Sequence, residues 1–188
     1  MTTLLAWLAS YYPLPAPLIE RLQPVIKEKR FARREFLLKA GKVCRHIYYV
    51  QKGLLRCYYD MDGLDISASF VKEGEIGVVA ESFLLQKESH EHIQAMEDSI
   101  VYTISHADLE KLYRDFPELN IIARLIIGKC FILSEKRLSM IRMRRAKDRY
   151  SWLMAHESIL IRRVPSKYLA SYLGITEVKM SIVKKRNS

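Results

Sequence analysis

A chain of 188 residues that is 49% apolar and 28% charged can bury a core of ordinary size, in one domain or two small ones, which argues against bulk disorder. The net charge of +10 lies wholly at one end: residues 129–188 carry 15 Lys/Arg against 4 Asp/Glu, while residues 1–128 carry 16 against 17. That split describes a near-neutral body joined to a segment facing a polyanion, and nucleic acid fits better than an anionic membrane because the basic end lacks a Trp/Phe-rich amphipathic helix.

In chain order, residues 4–8 predict a short helix that Pro13, Pro15 and Pro17 end. Residues 18–25 predict a second helical turn or two on Leu18, Ile19 and Leu22, placed as a lid over the segment after it. From about residue 26 to 104 the pattern turns to short strands: HIYYV at 46–50, LLRCYY at 54–59, alternation over 65–70, and a last pair at 93–96 and 99–104. Asp60 to Gly63 reads as a hairpin turn, since Asp-Gly accepts the positive backbone angles required. Residues 74–77 read as a second turn. Strands at this spacing indicate a sandwich or barrel. Ser105 with Asp108 three residues on reads as a helix cap. Pro117 opens a long helix to about residue 145. Leu119, Ile122, Ile126, Leu133 and Met140 recur along it at roughly three and four, and Phe131, Ile132 and Ile141 widen the apolar surface. A second copy of the chain is the simplest cover for it; burial within the monomer is the alternative. Residues 150–156 predict another helix, and Ile159 to Ile161 a short strand or turn.

The stretch SKYLASYLGITEVKMSIVKK, 166–185, reads as two short helices about a tight turn. Gly174 can take the left-handed conformation that ends the first, and Thr176 can cap the second, with Glu177 well placed for its dipole. Small Ala170, then Gly174, then apolar Met180 have the spacing of a DNA-binding helix-turn-helix, because a small side chain lets the helices cross closely and the turn needs glycine. Lys167, Lys179, Lys184, Lys185 and Arg186 supply phosphate-seeking charge. A helical hairpin in a core is the competing reading.

With GLLRCYY, GEIGVVAESF, the long helix and RVPSKYLASYLGIT, nearly the whole chain resembles the Crp/Fnr family of bacterial transcription regulators. The resemblance is to the short branch without the phosphate-binding Arg of the cyclic-AMP receptors. It implies an α+β protein: an N-terminal double-stranded β-helix (jelly roll) sensor at 1–116, a dimerisation helix at 117–145, and a helix-turn-helix at 146–188 with a truncated or absent wing, since only Arg186, Asn187 and Ser188 come after the second helix. It puts dimerisation on Leu119, Ile122, Ile126, Leu133 and Met140. DNA contact falls to Ser166, Lys167, Thr176, Glu177, Val178, Lys179, Ser181, Ile182, Lys184 and Lys185. Gly74, Glu75, Ile76, Ser89 and His90 form the implied effector pocket. The family's pocket pairs Gly-Glu-(Leu/Ile) with a later Arg; here Gly74-Glu75-Ile76 matches, but a cyclic phosphate would meet Glu88 and Glu91, which argues against cyclic AMP. The family often has Glu and Arg where Val178 and Ile182 stand. Neither can hydrogen-bond a base edge, though Val178 could touch a thymine methyl and Lys179 or Ser181 could reach bases.

Double-stranded DNA, a second copy of the chain, an unidentified small-molecule effector and RNA polymerase are thus the implied partners, and no cofactor is implied. Cys44, Cys57 and Cys130 lack CxxC spacing, which argues against a disulfide framework or iron–sulfur site and fits the cytoplasm, as does the lack of a membrane-length apolar run. A metal site on His90, His92 and Glu97 is weakened by the opposite strand parity of Glu97. No nucleophile elbow or P-loop is present, so no enzyme is expected. A protein-interaction module with degenerate DNA readout and a jelly-roll metalloprotein remain as alternatives.

Overall fold

The computed structural model describes residues 1–186. Two N-terminal helices, α1 (Thr2–Ala9) and α2 (Ala16–Val25), precede strands β1 (Lys27–Phe31), β2 (Phe36–Leu38), β3 (His46–Lys52), β4 (Leu55–Met61), β5 (Leu64–Val71) and β6 (Ile76–Gly77). Helix α3 (Ala80–Leu85), strands β7 (His92–Ala95) and β8 (Ser99–Ser105), and helix α4 (His106–Asp115) come next. The chain then runs through helices α5 (Pro117–Ile141), α6 (Ala146–His156), α7 (Ser158–Arg163), α8 (Ser166–Leu173) and α9 (Glu177–Lys185). It divides into two compact units, the first formed by residues 1–57 and 71–129, the second by residues 58–70 and 130–188.

The strands form two four-stranded sheets, ordered β1-β8-β3-β6 and β2-β7-β4-β5. In the first, β8 is antiparallel to β1 and β3 on either side, with Thr103 opposite both Lys27 and Tyr48. Val50, Leu54, Leu55, Ile93 and Val101 are fully buried, which is the outcome expected of strands whose apolar residues alternate or run together. β1 was not legible in this way: KEKRF is almost wholly exposed, and its charged side chains suit a sheet edge, where they discourage pairing with another chain. Gly53, leaving β3, has φ +106°, and a side chain there would run into Ser99, whose Cα lies 2.8 Å from where a Cβ would stand. The Asp62-Gly63 turn joining β4 to β5 has positive φ at both residues, 54° and 79°, the conformation that the Asp-Gly pair favours.

Around the first unit, α1 packs on β3 and α2 on α4. The Trp7 ring lies 5.1 Å from that of Tyr49, and Leu18 and Leu22 of α2 are fully buried. Ser105 caps α4 as its sequence predicts, accepting the Asp108 N–H at 3.1 Å and donating to the Asp108 carboxylate at 2.6 Å.

Two expectations are corrected in the helical part. The long helix ends at Ile141 rather than near residue 145; Arg145 instead reaches forward to Asp148 at 2.8 Å across the start of α6. The Ile159–Ile161 segment is helical, inside α7, where Leu160 is buried. Packing against α6 and α8 there outweighs the β preference of the isoleucines. Among the described residues no helix is long and apolar enough to cross a membrane.

His46, in β3, has its pKa held below the ordinary 6.5, first by burial and then by Lys29 and Arg45, with Asp108 opposing. Folding therefore favours the neutral ring. Stability is full above pH 6.5 and falls as pH drops below it, because the unfolded chain takes a proton that the folded one resists. Thermal unfolding measured from pH 7.5 to 5 should show this loss, and His46→Asn should flatten it.

Candidate nucleic-acid interface

The second unit gathers α6 to α9, the C-terminal part of α5 and the tip of the β4–β5 hairpin. Helix α8 buries Leu169, Ala170, Tyr172 and Leu173. It stops at Gly174, which takes φ +61° and ψ +40°. The Ile175 N–H then donates to the Ala170 carbonyl at 3.0 Å and the Gly174 N–H to Ser171 at 3.1 Å. This is the paired bonding by which a glycine closes a helix. Helix α9 starts where Thr176 accepts the Lys179 N–H at 3.2 Å. Met180 and Val183 turn inward and are buried, and α9 packs on α6 and α8. The helix-turn-helix geometry arises from these local features.

Arg149 of α6 closes the turn from below. Its Nη1 donates to the carbonyls of Leu173 and Gly174, each at 2.9 Å, and its Nε to that of Met143 at 2.9 Å. One guanidinium so satisfies two carbonyls that the end of α8 leaves without helical partners. A side chain at Gly174 would stand 3.1 Å from that Nη1.

The hairpin tip is tied to α8 by Ser171. Its hydroxyl accepts the Ser67 N–H at 2.7 Å and donates to the Asp65 carbonyl at 3.0 Å. Phe70 meets the Tyr172 ring edge-on at 5.2 Å. Arg137 of α5 lies 3.9 Å from the centre of that ring and donates to the Ser67 carbonyl at 3.2 Å. Between hairpin tip and helices lies a cleft of about 620 Å³ whose lining includes Leu64, Asp65, Arg144, Lys167, Thr176, Glu177 and Lys179.

The residues expected to touch DNA are each exposed: Ser166 and Lys167 at the start of α8, Thr176 at the cap of α9, and Glu177, Val178, Lys179, Ser181, Ile182, Lys184 and Lys185 along it. The Lys167 ammonium rests 4.7 Å from the centre of the Tyr168 ring. The expected lack of a wing falls on Asn187 and Ser188, outside the described residues.

The residues expected for an effector pocket are placed differently. Gly74 has φ +78° in a turn whose N–H donates to Val50 at 3.0 Å. The Glu75 carboxylate pairs with the Lys72 ammonium at 2.7 Å and accepts the Lys72 N–H at 3.1 Å, so it is held within its own turn. Ile76 pairs with Tyr49 in the sheet. Ser89 is buried and exchanges two bonds with the Glu91 backbone at 2.8 and 3.0 Å, while exposed His90 lies 3.6 Å from the Glu91 carboxylate. His92 accepts the Ala40 N–H at 3.2 Å and tilts against Phe36. Among the described residues no three His, Cys, Asp or Glu gather to hold a metal ion.

Of the five residues expected at a pairing surface, Leu119, Ile122 and Met140 are buried within the chain, Ile126 is half-buried and Leu133 is exposed. Burial removes the first three from a surface that could pair. The exposed stripe of α5 is instead Ile127, Phe131 and Leu138, at 62%, 65% and 41% exposure; Ile132 and Leu133 are also exposed, on other faces of the helix. The sequence reads Arg137 and Arg149 as marking the polar end of the long helix and the approach to DNA; in the structure Arg137 lies on the Tyr172 ring and Arg149 binds the end of α8, and Ser171 has no role in that reading. Their partners lie 24 to 106 residues away for the key bonds, so no local pattern in the sequence marks these contacts.

Comparison with known proteins bears on the fold. Residues 28–116 match the family model of the cyclic nucleotide-binding domain. Whole-chain structural likeness is to regulators of the Crp/Fnr type. A protein named as a Crp/Fnr-family transcriptional regulator from Eubacterium rectale is similar with a TM-score of 0.74 at 14% identity, over 94% of this chain and 87% of that one. CLP, the c-di-GMP responsive global regulator of Xanthomonas campestris, is similar at 0.73 and 18%, over 92% and 91%. The catabolite activator protein of Thermus thermophilus is similar at 0.58 and 16%, over 94% and 84%. No curated protein sequence matches the chain. At these identities the likeness is one of fold: a cyclic nucleotide-binding type of β-sandwich and then helices.

Arg149→Ala should cost about 2–4 kcal/mol, since it strips the carbonyls of a packed helix end of a charged donor. Thr176→Ala should cost about 1 kcal/mol as a lost helix cap. Urea unfolding of the two variants checks the order.

Proposed function

We propose that this chain is a dimeric DNA-binding transcriptional regulator. The observation that carries the reading is the helix-turn-helix of the second unit. Its α9 is anchored by Met180 and Val183 and leaves Lys179, Ser181 and Lys185 exposed beside Lys167 of α8. Such a helix can enter a major groove while the lysines around it meet phosphates. The excess of basic residues in 129–188 supports the same partner. RNA polymerase is the further partner of such a regulator, and the cytoplasm its compartment.

The β-sandwich is the proposed sensor. Its match to the cyclic nucleotide-binding domain supports a small-molecule effector. The engagement of Glu75 by Lys72, and Glu88 and Glu91 near Ser89 and His90, argue against cyclic AMP as that molecule. Effector binding would act by shifting the spacing of two recognition helices toward half-sites about one helical turn apart. The pairing surface is the stripe Ile127, Phe131 and Leu138, whose spacing of four and seven residues suits a helix pair.

The test is affinity for random duplex DNA against salt. Binding should weaken steeply, and Lys179→Gln or Lys185→Gln should each lower the slope by about 1 per protomer. A protein that ignores duplex DNA at low salt removes the reading, and the exposed face of α9 would then mark a protein-interaction module. Phe131→Asp should give monomers in sedimentation and weaken DNA binding at least tenfold, because half of the contacts are lost.

A further inference from the structure

The outward face of α9 carries two apolar side chains that phosphate binding does not use. Val178 is 70% exposed and Ile182 46%. Four residues apart, they share a face and lie about 6 Å apart along the helix. Met180 and Val183 fill the opposite face and are buried, so Val178 and Ile182 are not members of the core left partly uncovered. Lys179, Lys184 and Lys185 are exposed on the same helix, with Arg186 at its end and Lys167 on α8, against the one carboxylate of Glu177. An occupant of this face must be anionic at its rim and apolar at its centre. The major groove of duplex DNA meets both demands, with phosphates along its edges and the C5-methyl of thymine as the apolar group on its floor.

We infer, on the footing of the DNA-binding reading above, that Val178 and Ile182 are specificity-determining residues that select thymine through its C5-methyl group. Neither side chain can donate to or accept from a base edge, so contact with the methyl is the discrimination left to them. Bases along a strand are about 3.4 Å apart. Two methyls read by side chains about 6 Å apart therefore lie within two base-pair steps, and each half-site carries two thymines at that separation. Ser181 and Lys185 flank the pair on the same face and are exposed, which leaves them to hydrogen-bond the neighbouring bases.

The experiment uses the full chain and a duplex enriched from a random pool, then remade with uracil in place of one thymine at a time. Uracil keeps the pairing edge and lacks only the methyl. Affinity should drop about fourfold at each of two positions in a half-site, the effect of uncovering one methyl-sized group. Val178→Ala should abolish the thymine-to-uracil difference at one position and Ile182→Ala at the other, each leaving the difference at the remaining position at about fourfold. Both side chains are exposed, so alanine leaves the helix intact. Equal affinity for thymine and uracil duplexes overturns the inference while the DNA-binding reading stands. A protein that binds no duplex at any salt overturns both. If the alanine variants keep their DNA affinity but change the oligomeric state, the face is a protein interface and the inference also falls.

Discussion

The second unit depends on one guanidinium. A short helix ended by a left-handed glycine leaves carbonyls pointing out of its last turn, and in α8 that turn buries Ala170, Tyr172 and Leu173 while Gly174 itself is exposed. Arg149 supplies the missing donors to Leu173 and Gly174 and binds Met143 with its remaining edge. It thereby fixes α6, the end of α8 and the segment leaving α5 at a single point. A lysine could not do this, because three carbonyls in two directions need a planar fork of donors. The presentation of α9 rests on that point, since Thr176 starts the helix two residues after Gly174.

A second fixture works from the other side. Ser171 uses its hydroxyl as both acceptor and donor to two backbone groups of the hairpin, while Arg137 and Phe70 hold the Tyr172 ring between a cation and an edge. The inward faces of α8 are in this way divided among core packing, the hairpin and α5. On α8 and α9 a basic rim and an apolar pair stay outward, and the functional reading concerns only those.

Features set by neighbours in sequence were legible in advance. The turn at Gly174 and the caps at Thr176 and Ser105 each depend on residues within about four positions, as does the Asp62-Gly63 hairpin. The buried strands β3, β4 and β8 announce themselves by apolar content. β1 does not, because an edge strand with charged side chains has no apolar period to read. Periodicity along α5 correctly marked an apolar helix but could not say which residues face the chain's own core, so Leu119, Ile122 and Met140 were assigned to a surface they do not reach. The fate of Glu75 turned on Lys72, three residues back, whose pairing is visible only once the turn is folded. Ser171 and Arg149 act over separations that no local pattern encodes.

The split make-up of the second unit has a consequence for how the chain is produced. Residues 58–70 leave the ribosome long before Ser171, their partner 104 and 106 positions downstream of Ser67 and Asp65. At about 5–20 residues per second the hairpin tip, with its exposed Met61 and Leu64, waits roughly 5–20 seconds for the helix it will meet. Joining ends so far apart in sequence is entropically slow compared with closing a local turn. The helix-turn-helix can thus form its own turn first and dock afterwards, and a fragment starting at residue 130 would carry the turn without the strand segment that anchors it.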